Sequence, residues 1–227
     1  MDYNDPRLVY VEPSVINIYG RRLVENFYKF QGKNIRFVEN TTTKTLEYGR
    51  KLCSGRECLP MMAIAGAVLK DINENRREDE ITIYRLALEQ SGPCQNGGWP
   101  ALWEIFAKEL KIENTIFSGT LYKNKNYMGL SLEIYETQVL LYMIGHFITE
   151  VKNALYIVAR NPNKAIEIFE KRTDELILKV KDRKKTLKQG LKEWAREISK
   201  IPLDAKVEDA PKILIIGGLN LLFTYYP

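Results

Sequence analysis

The sequence predicts an α/β fold with a doubly wound parallel sheet, joined to a helical subdomain. Short β-rich segments alternate with segments of helical apolar spacing through the first 130 residues, which is the pattern of a parallel sheet covered by helices. Beyond about residue 130 the apolar spacing is helical almost throughout. The chain has 227 residues, of which 45% are hydrophobic, and this is enough for one sizeable core or for one domain and part of another.

Local signals place the elements of the first part. Thr41–Thr43 can cap a short helix, Gly32 is placed to end the helix before it, and Pro60 suits the first turn of another. In chain order, the predicted strands are 7–13, 34–40, 80–88 and 113–119, and the predicted helices are 14–31, 41–50, 60–72 and 99–110.

The later part is predicted to be helical from 131 to 160, and again from 162 to about 201, where Pro202 ends it. The final stretch, "PKILIIGGLNLLFTYYP", has the pattern of a strand and a loop that open a further α/β unit. We expect the chain to be a truncated form of a longer protein. The predicted regions are an α/β cysteine-loop domain at 1–130, a helical subdomain at 131–203 and the truncated start of a second α/β domain at 204–227.

Composition indicates a soluble, cytoplasmic protein. No stretch approaches the ~18 uninterrupted apolar residues of a membrane span, and the N-terminus lacks the basic and apolar regions of a secretory signal. Three cysteines are an odd number and few for this length, which argues against a secreted disulfide framework. In a reducing compartment, clustered cysteines are more often metal ligands or redox groups.

The net charge of +5 is concentrated in one segment. Between Lys179 and Lys200, nine Lys or Arg residues stand against three acidic ones. Such a basic helix could dock an acidic partner or nucleic acid, and this is one alternative function. We favour the charged outer face of a helix, so nucleic acid is not an expected partner.

Two short loops contain all three cysteines. Cys53 and Cys58 lie in "CSGRECLP", just ahead of a predicted helix, whose N-terminal dipole would stabilise a thiolate. Cys94 lies in "SGPCQNGGWP", a loop that follows a predicted strand, and ligands bind parallel sheets in such loops.

The glycines of the second loop favour an anionic group. Gly92, Gly97 and Gly98 let backbone amides approach a bulky anion such as an iron–sulfur cluster. Two buried cysteines in ordinary turns are the alternative, and the spacing is not typical of zinc sites. His146 lies in the middle of a predicted helix, where we expect it to be packed rather than bound to a metal.

Other catalytic motifs do not occur. The sequence has no G-x-x-x-x-G-K phosphate loop, no G-x-G-x-x-G fingerprint and no G-x-S-x-G elbow. One histidine leaves little room for a catalytic triad. Acidic residues are plentiful, and we expect them to be dispersed over helical surfaces. Which residues would be catalytic is therefore unknown from the sequence.

The two loops carry a resemblance to a known family. The segments are "SGRECLPMMAIAGAVL" and, some thirty residues later, "SGPCQNGGWPALWEIF". They resemble the 2-hydroxyacyl-CoA dehydratase D-component superfamily, in its branch of large CoA-substrate-specific enzyme activases and double-cubane cluster proteins. The matching residues are Glu57, Cys58, Leu59, Pro60, Gly66, Gly92, Pro93, Cys94 and Gly97.

The resemblance implies an iron–sulfur electron-transfer protein. Members bind a [4Fe–4S] or related double-cubane cluster between α/β domains and pass single low-potential electrons. Cys58 and Cys94 would be the ligands, and Cys53 a further candidate. An ATP-hydrolysing activator of the actin/hexokinase type would supply the electrons, so this chain would not be an ATPase on its own.

The resemblance also bears on partners. An acyl-CoA substrate would be bound through the partner, and a homodimer is compatible with the sequence. Family members draw a further cysteine from the second α/β domain, which we expect this chain to lack. A degenerate structural fragment with no cluster is therefore the other alternative.

Overall fold

The computed structural model describes residues 2–12, 17–87, 98–119 and 127–210. They form two compact units: residues 2–12, 33–87, 98–119 and 127–135 belong to the first unit, and residues 17–32 and 136–210 to the second. The strands are β1 (Leu8–Glu12), β2 (Asn34–Phe37), β3 (Ile81–Ala87) and β4 (Thr115–Gly119). The helices are α1 (Ile18–Phe30), α2 (Thr43–Leu52), α3 (Leu59–Glu74), α4 (Trp99–Glu109), α5 (Leu132–Val158), α6 (Pro162–Lys179) and α7 (Lys188–Ile198).

The first unit is built on a four-stranded sheet in the order β2-β1-β3-β4. All three strand pairs are parallel. The predicted α/β fold with a parallel sheet is therefore confirmed, and every strand and helix predicted before residue 120 is present within a few residues of its predicted bounds.

One face of the sheet packs against α3 and α4. Val9 and Val11 of β1 alternate with residues of the opposite face and enter a core with Met61 of α3 and Trp103 of α4. The indole ring of Trp103 is stacked on the ring of Phe117, at 4.9 Å between centroids. This core holds the two helices whose amino ends border the first cysteine loop and follow the second.

The other face of the sheet carries a buried ion pair. Arg85 of β3 pairs with Glu12 at the end of β1, and both side chains are buried. The Arg85 guanidinium also lies 5.4 Å from the ring centroid of Tyr10, whose hydroxyl donates a 2.8 Å hydrogen bond to the carbonyl of Met128. Since charges are rarely buried without partners, this arrangement fixes the relative position of β1 and β3.

Two acids are buried, Asp71 in α3 and Glu80 just before β3, which corrects the expectation that acidic residues are dispersed over helical surfaces. The guanidinium of Arg36 donates two 2.8 Å hydrogen bonds to Asp71 and bonds of 2.9 and 3.1 Å to Glu80. Both carboxylates are essentially buried, at 1% and 0% exposure. The hydroxyl of Tyr84 donates a further bond of 2.7 Å to Asp71. The network joins β2, α3 and β3.

The second unit consists of helices. Helices α1 and α5 cross closely, because a Cβ added at Gly145 would overlap the backbone of Gly20. Helices α6 and α7 are joined by a 3.1 Å hydrogen bond from the indole N–H of Trp194 to the Thr173 hydroxyl. The unit takes in α1 from the early part of the chain. The predicted domain boundaries at residues 130 and 203 stay a prediction.

The segment from 162 to 201 was predicted to be helical, with Thr173 and Lys184 interrupting its apolar stripe, but it is not one continuous helix. Helix α6 ends at Lys179, a short π-helical turn covers Arg183–Leu187, and α7 starts at Lys188. The basic segment is therefore not one helix. Two of its basic residues are paired with nearby acids: Lys179 with Glu193 at 2.8 Å, and Lys200 with Glu197.

His146 lies in the middle of α5 as predicted, but its side chain is exposed. The expectation that it is packed was wrong. Within the described ranges, no helix is long and apolar enough to cross a membrane.

Candidate functional site

The first cysteine loop joins the end of α2 to the start of α3. Helix α2 begins with a capping box, in which the Thr42 hydroxyl accepts from the Thr45 backbone N–H and the Thr45 hydroxyl accepts from the Thr42 N–H. Cys53 is the C-cap of α2, and its N–H donates a 2.9 Å bond to the carbonyl of Gly49. Cys58 is the N-cap of α3. The two thiols therefore lie at the adjoining ends of two packed helices.

Two glycines bring α2 and α3 into backbone contact. A Cβ added at Gly66 would overlap the carbonyl oxygen of Thr45 and lie 2.7 Å from the backbone nitrogen of Gly49. A Cβ added at Gly49 would overlap the carbonyl oxygen of Met62. Any larger residue at either position would force the helices apart. The crossing thus determines how the ends of the cysteine loop are spaced.

The loop has its own internal hydrogen bonds. The Glu57 carboxylate accepts from the hydroxyl of Ser54 at 3.2 Å and from the backbone N–H groups of Gly55 and Arg56 at 3.1 and 3.2 Å. Hydrogen bonds from its own backbone N–H and then from Ser54 hold the pKa of Glu57 below its ordinary value. Gly55 has a φ of +91°, a conformation that residues other than glycine rarely adopt.

The two described thiols are half-buried beside the hydrophobic core. Cys53 and Cys58 both pack against the cluster formed by β1, α3 and α4. The pKa of the Cys53 thiol is raised to about 11, mainly by burial and to a smaller extent by the nearby negative charge of Glu57. Cys53 and Cys58 lie at the two ends of one short loop, as the C-cap of α2 and the N-cap of α3. At neutral pH, Cys53 is therefore a protonated thiol that must lose its proton to bind a metal.

A cavity of about 240 Å³ lies beside the loop. It is bordered by the residues on either side of Cys58 and by the first turn of α4. The lining residues are Arg56, Glu57, Met61, Gly98, Trp99 and Leu102. Gly98 is the N-cap of α4 and the end of the second glycine-rich loop. Residues of the first cysteine loop and Gly98, at the end of the second loop, thus line one cavity.

The other predicted site residues lie outside the described residues. They are Gly92, Cys94 and Gly97. Within the part of the chain that the structure describes, no three His, Cys, Asp or Glu side chains are grouped so that they could hold a metal ion. The described residues supply two neighbouring thiols and one cavity, and the role of Cys94 stays a prediction.

Sequence reasoning missed the apolar side of the cavity. Met61, Trp99 and Leu102 form that side. Trp99 and Leu102 are three residues apart in α4, and such a pair shares one face of a helix. The spacing of Trp99 and Leu102 was the sequence signal for this apolar side, because it places both side chains on the same face of α4.

Comparisons of the chain with protein-family models, with curated proteins and with solved structures found no match.

Proposed function

We propose that this chain holds an iron–sulfur cluster where its two cysteine loops meet, and that it passes single electrons. The observation that carries the proposal is the shared cavity, which borders both the first cysteine loop and the glycine that ends the second. The resemblance of both loops to the 2-hydroxyacyl-CoA dehydratase activases and double-cubane cluster proteins supports the same conclusion.

The described residues fit such a group in three respects. Cys53 and Cys58 are two half-buried thiols at the ends of one short loop. The cavity is bordered by the amino ends of α3 and α4. The N–H groups and dipoles of helix N-termini favour negative charge, and a cluster held by thiolates is anionic.

The residues have distinct roles in this proposal. Cys58 and Cys94 are the ligands, and Cys53 is a third candidate that must first lose its proton. Met61, Trp99 and Leu102 exclude water from one side, and a low dielectric around a cluster tunes its reduction potential. Gly98 leaves the amino end of α4 open to a large group, as we also propose for Gly92 and Gly97. A bound cluster would supply one-electron chemistry. We propose that it is a [4Fe–4S] cluster or a related double-cubane cluster.

The wider arrangement is part of the same proposal. We propose that the sheet is doubly wound, with helices on both faces, and that residues 204–227 open a second α/β domain. An ATP-hydrolysing activator of the actin/hexokinase type would deliver the electrons, and an acyl-CoA would be the substrate of the partner system. The cytoplasm is the compartment in which such thiols stay reduced.

The proposal is tested by measuring iron and acid-labile sulfide per chain after strictly anaerobic purification. We expect near-stoichiometric iron in the wild-type chain and a sharp loss in Cys58→Ala and in Cys94→Ala. Met62→Ala is the matched control, because Met62 lies one turn beyond Cys58 in α3 and supplies no thiol. Circular dichroism of each variant shows whether it remains folded.

Two outcomes would contradict the proposal. One is a folded wild-type chain that takes up no iron or sulfide after anaerobic reconstitution. The other is a full iron content in both cysteine variants. A smaller loss in Cys53→Ala than in Cys58→Ala would make Cys53 a neighbour of the cluster rather than a ligand.

A further inference from the structure

An apolar hollow lies between α5 and α7, within the second unit. It has a volume of about 330 Å³. Its lining residues are Met143, Ile144, Phe147, Leu191, Trp194 and Ala195. Met143 and Phe147 are 65% and 55% exposed, large values for apolar side chains. An exposed apolar surface of this kind indicates a binding site.

The hollow offers no polar side chain to orient a small ligand. The indole N–H of Trp194 is already used, because it donates to the hydroxyl of Thr173 at 3.1 Å. Among the described residues, the lining contains no other polar side chain. Sites for small molecules place a few polar groups among apolar ones. The hollow therefore fits the apolar side chains of a macromolecule better than a small polar ligand.

The border of the hollow on α7 is basic. Lys188 and Lys192 are exposed, and each lies three positions before a lining residue, Leu191 and Ala195. Residues three apart are neighbours on the surface of a helix, so both lysines adjoin the hollow. They are four positions apart, which is about one turn and about 6 Å along the helix axis.

The acids of α7 are held away from this border. Glu193 pairs with Lys179 at 2.8 Å and Glu197 with Arg172 at 3.2 Å, so both carboxylates are directed toward α6. The opposite border, on α5, has the exposed Glu150, three positions beyond a lining residue. The two borders thus differ in charge, and a partner must match that difference.

These features favour a protein partner over a nucleic acid or a membrane. A nucleic-acid backbone requires cations but no apolar hollow. A membrane-binding face inserts its apolar side chains into lipid, whereas the base of this hollow is the buried indole of Trp194. An amphipathic helix, by contrast, places an apolar stripe in a groove. Acids along one side of that stripe would match the lysines of α7.

We propose that the hollow between α5 and α7 binds an amphipathic helix of a partner protein, with acidic residues along one side of its apolar stripe. The apolar side chains of that helix enter the hollow, and two acids four positions apart face Lys188 and Lys192. The spacings agree because both helices rise about 6 Å over four residues. The site lies in the second unit and is independent of the proposed cluster.

The test is fluorescence anisotropy with a fluorescein-labelled helical peptide of about 18 residues, which has leucines at helical intervals and glutamates along one side of them. A second peptide has lysines in place of the glutamates. We expect the acidic peptide to bind with a Kd on the order of 10 μM. The lysine peptide should bind at least about tenfold more weakly, because like charges then face each other.

Charge reversal on α7 tests the basic border. Lys188→Glu combined with Lys192→Glu should raise the Kd of the acidic peptide by about tenfold or more, because two attractions become repulsions. Lys164→Glu combined with Lys171→Glu is the matched control, since both are exposed lysines of α6 outside the lining, and the change in net charge is the same. The control should leave Kd unchanged, and circular dichroism shows whether each variant is folded.

A second pair of variants tests the hollow. Met143→Ser should raise Kd by about fivefold, because it removes apolar surface that the peptide would bury. Leu178→Ser is its control: Leu178 is 68% exposed on α6, and it should leave Kd unchanged. Equal effects of the two substitutions would overturn the assignment of the hollow.

Three other outcomes would overturn the proposal. One is an acidic peptide that does not bind at about 200 μM protein. Another is an equal Kd for the two peptides, or for the wild-type chain and the variant with both α7 lysines reversed. The third is binding to phosphatidylserine vesicles or to a DNA duplex without binding to the acidic peptide, which would assign the basic border to a membrane or a nucleic acid.

Discussion

Replacing Arg36 by methionine should destabilise the sheet unit strongly. The substitution keeps an unbranched side chain of similar length but removes the four hydrogen bonds to Asp71 and Glu80. Burial by itself would lower the pKa of Arg36, but hydrogen bonds to Glu80 and Asp71 outweigh it and raise the pKa above its ordinary value. The guanidinium is therefore charged in the folded protein, and the two buried carboxylates depend on it.

The expected loss follows from what remains in the variant. Asp71 and Glu80 would be left with no cation between them at 1% and 0% exposure. Removing one partner of a buried ion pair costs about 3–5 kcal/mol. With a urea slope of about 2 kcal/mol/M, the unfolding midpoint should fall by roughly 2 M. Tyr84 would still donate to Asp71, so part of the hydrogen bonding is kept.

The assay is urea unfolding followed by tryptophan fluorescence in a Trp194→Phe background. The chain has three tryptophans, and the two that remain, Trp99 and Trp103, lie in the core of the sheet unit. Arg77→Met is the matched control: Arg77 pairs with Asp79 in the same unit, but both side chains are exposed, and exposed pairs contribute about 0–1 kcal/mol. If Arg36→Met cost no more than Arg77→Met, the argument from burial would be refuted.

Two further predictions concern the cysteine loop. Gly66→Ala should lower the free energy of unfolding by about 2–3 kcal/mol, because the added Cβ overlaps the carbonyl of Thr45. Gly98→Ala is the control, since Gly98 has a φ of −88° and no atom within 4 Å of an added Cβ; equal losses in both would contradict the close crossing. The pKa of about 11 predicts that roughly one Cys53 in a thousand is a thiolate at pH 8. Its alkylation rate, followed by peptide mass spectrometry, should rise about tenfold per pH unit up to nearly pH 11, and a plateau below pH 10 would contradict the burial of this thiol.

Much of the sheet unit could be predicted because its signals are local. Capping by Thr42, a proline in the first turn of α3 and a glycine after α1 each mark an element end within a few residues of sequence. Parallel order followed from the alternation of strands and helices. The sequence placed the first cysteine loop ahead of a helix, and the amino ends of α3 and α4 border one cavity that the sequence did not predict.

What could not be predicted depends on contacts between distant residues. Arg36 and Glu80 are 44 positions apart, and no local pattern distinguishes a buried carboxylate from the many exposed ones. The end of α6 at Lys179 was not predicted, because Val180, which follows the helix, is itself buried and continues the apolar spacing. His146 was expected to be packed because apolar residues surround it in sequence, but they belong to a helix with apolar side chains on its exposed face as well.

The glycine crossing of α2 and α3 affects the entropy of binding at the loop between them. The backbones of the two helices touch at Gly49 and Gly66, so the ends of the loop are held at a set separation once the chain has folded. Cys53 and Cys58 lie at those ends. Ordering one residue's backbone costs about 1–2 kcal/mol of conformational entropy. Here that cost is part of the free energy of folding and not of the free energy of binding. A ligand that engages both thiols meets them already ordered, and more of its interaction energy is expressed as affinity.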